Sequence, residues 1–384
     1  YAALEGGVVV FGPNNFPFAF GSISGGDFAA AIAAGNPVIA KANSSHPGTT
    51  RLFAEEALEA VKDSGLPNSM VQLIYRTRHD VGERLVSHPL VGATGYTGSR
   101  GAGLVLKNAA DRAGKPIYLE LSSVNPVVIL PGALRERGSE IAEEFVSSCL
   151  LGTGQFCTNP GLVILRKDAA TDLFIQDISQ KFREAPVGTL LGESVEKGMA
   201  DGVQALQDAG AELLVGGKSG GGNGFCYQNT LLQVTGAQFL SQAGDLQKEI
   251  FGNESLLVLV DDLDQARRIL RLLEGNLTGT VYSASDGADD AAYSQVVPIL
   301  RRRVGRLINN KMPTGVAVSP AMNHGGPFPA TGHPSFTSVG IPAAITRFAQ
   351  LQCFDNVSSG HLPTELQDGN PLGIWRFIDG QWIS

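Results

Sequence analysis

Short aliphatic runs alternate with segments of helical period along most of the chain. Gly7-Val8-Val9-Val10-Phe11 is apolar without interruption, which predicts a strand buried on both faces. Small residues over Phe28 to Ala34 predict a helix, and Pro37 to Ala40 a second strand ending at Lys41. From Thr49 to Ser64, Phe53, Ala57 and Val61 share one helical face, and Gly65 stops the helix. Strands follow at Val71 to Ile74, Val91 to Tyr96 and Ile117 to Leu121, with a helix over Arg100 to Arg112 before the last. Strands alternating with helices predict crossover units on a parallel sheet, the pattern of a nucleotide-binding domain.

A second α/β series begins after Asn125-Pro126. Its helices are expected near Ser139 to Leu150, Ala170 to Arg183, Val195 to Gln207, Leu263 to Leu273 and Asp289 to Leu300. Its strands are expected near Leu162 to Leu165, Leu256 to Val260, Gly279 to Tyr282 and Arg306 to Ile308. From Pro313 the chain turns rich in Gly, Pro, Ser and Thr, the composition of active-site loops and arm-like extensions.

Composition narrows the functional classes. With 29 Lys+Arg against 37 Asp+Glu, the net charge of −8 argues against a nucleic-acid partner. The 384 residues, 43% apolar, exceed what one core usually supports, so two or more domains are expected. Phe28 to Ala40, the most apolar early stretch, is broken by Gly35, Asn36 and Pro37, so no membrane span is expected. Four irregularly spaced cysteines at 149, 157, 226 and 353 suggest neither disulfides nor a zinc site and fit a reducing, cytoplasmic setting. The six His show no ligand spacing, so no catalytic metal is expected. Gly217-Lys218-Ser219 lacks the first glycine of a phosphate loop and reads as a hairpin or loop; Arg301-Arg302-Arg303 reads as a helix end.

Three positions carry candidate chemistry. Cys157 sits in Gly154-Gln155-Phe156-Cys157-Thr158-Asn159-Pro160-Gly161, where flexible glycines let a substrate and a backbone N–H approach the sulfur; read alone, it is either reactive or an inert loop thiol. Glu120 ends an apolar strand and is either a partly desolvated general base or a solvated strand end. Asn15 follows the first strand at the edge where open α/β sheets bind ligands, and is either an oxyanion donor or a turn residue.

Taken together, six motifs resemble the aldehyde dehydrogenase superfamily in content and order: Asn15-Phe16-Pro17; Gly35-Asn36-Pro37-Val38 leading to Lys41; Tyr96-Thr97-Gly98-Ser99; Glu120-Leu121 with Asn125-Pro126; Gly154-Gln155-Phe156-Cys157; and Glu249-Ile250-Phe251-Gly252. The resemblance implies an α/β fold with a Rossmann-like cofactor domain at 1–121, a catalytic domain at 122–335, and an extension at 336–384 returning to the cofactor domain or an oligomer interface. It implies Cys157 as nucleophile, Glu120 as general base and Asn15 as oxyanion donor. Lys41 would hold the adenosine ribose, with Ser44 beside it, Ser99 would open the helix facing the pyrophosphate, and Leu121, Glu249 and Phe251 would lie at the nicotinamide end. The family forms dimers or tetramers. It also has a segment ahead of the strand at Gly7, so the chain is expected to be either a fragment of a longer polypeptide or the product of a shortened gene, with the cofactor domain incomplete at its N-terminal end.

Ser122-Ser123-Val124 replaces the usual Gly-Gly after the base, and Asn159-Pro160-Gly161 closes the cysteine loop. With Pro313-Thr314-Gly315-Val316 and His324-Gly325-Gly326-Pro327-Phe328-Pro329-Ala330-Thr331, these features resemble the 2,5-dioxopentanoate (α-ketoglutarate semialdehyde) dehydrogenase branch and the NADP-dependent fatty-aldehyde enzymes. Tyr75-Arg76-Thr77-Arg78-His79 replaces a glycine-containing turn. Ser44 stands where many NAD-preferring relatives carry Glu, and no carboxylate follows until Glu55, which implies NADP with NAD tolerated. The expected activity is oxidation of a small oxo-acid aldehyde, with a CoA-acylating enzyme or a non-catalytic dinucleotide-binding protein as alternatives.

Overall fold

The computed structural model describes residues 1–315, 319–335 and 342–384. Val316 of the Pro313 motif and the first residues of the 336–384 extension lie outside the described residues. In the first half the strands are β1 (Gly7–Phe11), β2 (Val38–Lys41), β3 (Val71–Ile74), β4 (Val91–Thr97) and β5 (Ile117–Glu120), and the helices α1 (Gly26–Ala33), α2 (Pro47–Asp63), α3 (His79–Val86) and α4 (Arg100–Arg112). The strands form one parallel sheet in the order β3-β2-β1-β4-β5, the doubly wound arrangement whose switch point falls between β1 and β4. Val8, Val9 and Val10 are all buried, as an uninterrupted apolar run between two helical layers requires.

A larger sheet follows. Its strands are β6 (Val127–Ile129), β7 (Leu162–Arg166), β8 (Glu212–Val215), β9 (Thr230–Thr235), β10 (Glu254–Val260), β11 (Asn276–Tyr282) and β12 (Val304–Asn309), in the order β12-β11-β6-β7-β10-β9-β8. Only β8, at one edge, runs antiparallel to its neighbour. Helices α5 (Pro131–Leu150), α6 (Ala169–Glu184), α7 (Glu193–Asp208), α8 (Leu263–Leu272) and α9 (Asp290–Leu300) cover the two faces, each over its own apolar cluster. The sequence expectation starts α5 late, at Ser139. The helix begins with Pro131 in its first turn and is kinked at Arg137, whose φ of −149° and ψ of 40° break the period.

Two further connections matter for the site. After β12 the chain doubles back along β5: the Leu121 amide donates to the Ala330 carbonyl at 2.8 Å, and the Gly332 amide to the Leu119 carbonyl at 3.1 Å. The short 3-10 helix Pro342–Phe348 is fastened to α1 by a buried ion pair, Arg347 Nη1 to Asp27 Oδ1 at 2.5 Å. Gly217-Lys218-Ser219 lies in a loop, with Ser219 bridging Tyr227, and Arg301 caps the end of α9.

Candidate active site

The cysteine loop is shaped by the backbone. Between α5 and β7, Gly152, Thr153 and Gly154 all take positive φ, turning the chain sharply so that Cys157 faces the small sheet. At Gly154 a side chain has no room, since an added Cβ would lie 2.0 Å from the Gly252 carbonyl oxygen. The loop's carbonyls are then held from below. Asn125, itself at φ 47°, donates through Nδ2 to the Cys157 oxygen at 2.9 Å and the Asn159 oxygen at 2.8 Å. Asn276 Oδ1 in turn accepts from the amides of Val124 and Asn125 at 2.8 and 3.2 Å. The sequence singles out Asn125 only as part of a motif; its work is to fix the backbone at Cys157.

The small sheet supplies the facing groups from the carboxyl ends of its strands, beside its switch point. Asn15, just past β1, donates Nδ2 to the Gln155 carbonyl at 2.9 Å, which joins the two sheets across the site and leaves its second amide hydrogen available. Glu120, the last residue of β5, is only 8% exposed, which removes the reading of a solvated strand end.

Between Glu120 and Cys157 lies a residue that sequence reasoning did not place in the site. His324, 4% exposed, has Nε2 3.1 Å from Glu120 Oε1 and 3.3 Å from Cys157 Sγ. It arrives on the segment that doubles back along β5. The sequence reading judges the histidines only for metal-ligand spacing and gives His324 no role; in the structure one donor atom from each of the three residues lies within 4.8 Å of the others. The one sequence signal at His324 is the branch motif it opens, which says nothing of its contacts, since His324 is 167 residues from Cys157 and 204 from Glu120.

The electrostatics follow from these contacts. Burial by itself pushes the His324 ring toward neutrality, but the Glu120 carboxylate and the Cys157 sulfur against it hold its pKa well above the usual value. Burial pushes the Cys157 thiol up and, with Glu120 and Glu249 adding to the rise, outweighs the charge and hydrogen bond of His324 that draw it back, so the thiol sits above its ordinary pKa. Cys149, wholly buried in α5, has only burial and the nearby Glu254 charge raising its pKa against one weak hydrogen bond, and is inert by comparison.

A groove of about 1530 Å³ runs from Cys157 along the carboxyl edge of the small sheet. Lys41, Ser44, Ser99, Leu121, Glu249 and Phe251 all line it, together with Asn15, Glu120 and Cys157. Ser99 is the N-cap of α4 and makes no side-chain cap, so the first-turn amides of that helix face the groove. Lys41 has its pKa lowered by burial and by the neighbouring charge of Arg76. Arg78 is committed to Asp80 in an exposed pair at 2.8 Å. At the other end, burial raises Glu249 to about 8, against a backbone hydrogen bond from Ser123.

A family model described as Aldehyde dehydrogenase family matches residues 3–332. The chain belongs to the aldehyde dehydrogenase family. This aldehyde dehydrogenase is 43% identical over 381 residues to an alpha-ketoglutaric semialdehyde dehydrogenase 2 of Azospirillum brasilense, covering 98% of the chain and 71% of the relative. It is 41% identical to an alpha-ketoglutaric semialdehyde dehydrogenase of Acinetobacter baylyi, covering 99% of the chain and 72% of the relative. In fold it resembles glyceraldehyde-3-phosphate dehydrogenase from Methanocaldococcus jannaschii complexed with NADP, with a TM-score of 0.73 at 21% identity, covering 91% of the chain and 72% of that structure. An aldehyde dehydrogenase oxidises its substrate to the acid with NAD(P), as the sequence motifs led one to expect. Among the described residues, no helix is long and apolar enough to cross a membrane.

Proposed function

We propose that Cys157 is the nucleophile of this aldehyde dehydrogenase, that its substrate is 2,5-dioxopentanoate or a similar small oxo-acid aldehyde, and that NADP is preferred over NAD. The observation that carries the reading is the meeting of Cys157, His324 and Glu120 at the head of the groove. The thiolate, held by the His324 imidazolium, attacks the aldehyde carbon. The free hydrogen of the Asn15 amide and the Cys157 backbone N–H steady the negative oxygen that forms. When bound, the nicotinamide supplies the acceptor for hydride. Glu120 then removes a proton from the water that opens the thioester, and the acid leaves.

The groove fits the dinucleotide by its chemistry. Lys41 and Arg76 supply positive charge at the adenosine end, where the exposed Ser44 leaves a 2′-phosphate unopposed. The first turn of α4 offers free amides to the pyrophosphate, and Glu249 and Phe251 meet the nicotinamide ribose. The substrate assignment draws support from the two semialdehyde dehydrogenases that share more than two-fifths of this sequence. We place the cofactor domain at 1–121, the catalytic domain at 122–335 and an arm at 336–384 in a cytoplasmic homo-oligomer.

Rapid mixing with excess 2,5-dioxopentanoate tests the reading. A burst of NADPH absorbance is expected, absent from Cys157→Ala and retained in Cys226→Ala and Cys353→Ala. A Cys157→Ala enzyme that still turned over would end this assignment, and acceleration by added CoA would replace water with CoA as the resolving group.

A further inference from the structure

Arg306 is a cation that this mechanism leaves unused. It stands on β12 opposite Thr278 of β11 and is half-buried. Its guanidinium is poorly partnered: Nη1 reaches the Met322 sulfur at 3.6 Å, Nη2 donates to the Pro313 carbonyl at 3.3 Å, and the buried Nε has no partner. No carboxylate pairs with it among the described residues. A planar fork of five donors is built for a carboxylate, and burying it without one is costly.

Both of its contacts come from segments that reach the surroundings of Cys157. Met322 lies two residues before His324, whose ring touches Cys157 Sγ, and the Asn323 side chain between them donates to the Gly305 carbonyl beside Arg306 at 3.3 Å. Pro313 precedes Thr314, whose hydroxyl donates to the carbonyl of Thr158, the neighbour of Cys157, at 3.4 Å. The Cys157 sulfur is close enough to act on the guanidinium electrostatically, while burial lowers the arginine's pKa. Arg347, another guanidinium near the site, is paired with Asp27.

We propose that Arg306 binds the carboxylate at the far end of the substrate and so selects aldehydes that carry an anionic group away from the reacting carbon. The inference rests on the oxo-acid reading above and names the residue that enforces it. It makes Arg306 a specificity determinant, with no part in the bond-making steps.

The test compares kcat/KM for 2,5-dioxopentanoate and for pentanal, in wild type and in Arg306→Gln. The ratio of the two should fall by about 10- to 100-fold in the variant, mainly through KM, the effect of losing a charge-assisted hydrogen-bond pair. Arg306→Met is measured in the same way, so that the result does not hang on one folded variant. A purely structural arginine would lower both substrates together and leave the ratio intact, and that outcome overturns the inference. Wild type showing no preference for the oxo acid would defeat the substrate reading itself, whereas a wild-type preference that survives both substitutions defeats only Arg306.

Discussion

Replacing His324 with Gln removes the cation that sits 3.3 Å from the Cys157 sulfur and 3.1 Å from Glu120. Two effects on the thiol then run the same way. The thiolate loses a charge-assisted hydrogen bond, worth about 1.5–3 kcal/mol. The Glu120 carboxylate, no longer screened by the imidazolium, repels the thiolate more strongly. At 1.36 kcal/mol per unit, the first effect alone raises the thiol pKa by about 1–2 units. The assay is the pH dependence of iodoacetamide alkylation at Cys157, read by mass spectrometry, beside kcat/KM. The alkylation midpoint should move up by that amount, and kcat/KM at pH 7 should fall about 10- to 100-fold and recover as pH rises. An unshifted alkylation profile, with or without a loss of activity, would refute the argument that His324 holds the thiolate.

Glu120→Gln should keep the NADPH burst while the steady-state rate drops about 10²-fold, because only thioester hydrolysis needs a base for water; loss of the burst in a stopped-flow trace would show that Glu120 also acts on the thiol through His324. Ser44→Glu places a carboxylate in the groove near Lys41 and should shift the NADP to NAD ratio of kcat/KM toward NAD, and an unchanged ratio would clear Ser44 of any role in the choice. Glu254, 3% exposed with Oε1 unpartnered, has its carboxyl raised well above the usual range by burial. The folded chain therefore holds this proton more tightly than the unfolded one, so its stabilising contribution is complete in acid and is lost as pH rises toward the raised value. Glu254→Gln cannot ionise, and its Tm should decline less than that of wild type between pH 5 and pH 9; parallel Tm curves would refute the assignment.

Much of the scaffold was legible because its strands are either wholly buried or cleanly bounded. Val71–Ile74 and Arg100–Arg112 fall where the apolar pattern and its turn residues place them. The strand Val127–Ile129 escaped because three residues carry no period, and Thr230–Thr235 because Gln233 and two threonines dilute its apolar signal. The short helix His79–Val86 lies in a stretch of charged residues with few apolar ones to mark a face. At the site, Cys157, Glu120 and Asn15 announce themselves through short motifs, whereas His324 and Arg306 act through contacts made only when β12 and the returning segment close over the nucleophile.

The dependence of Cys157 on His324 has a consequence for the chain while it is being made. A ribosome that has released residues only as far as Asn309 has already delivered the cysteine, its loop and Glu120, but not the imidazole 167 residues further on. Until that histidine arrives, the sulfur lacks the charge and the hydrogen bond that draw its pKa down, and a protonated thiol is a poor target for stray electrophiles and disulfide partners. The surroundings of Cys157 are thus completed last, with folding itself as the safety catch.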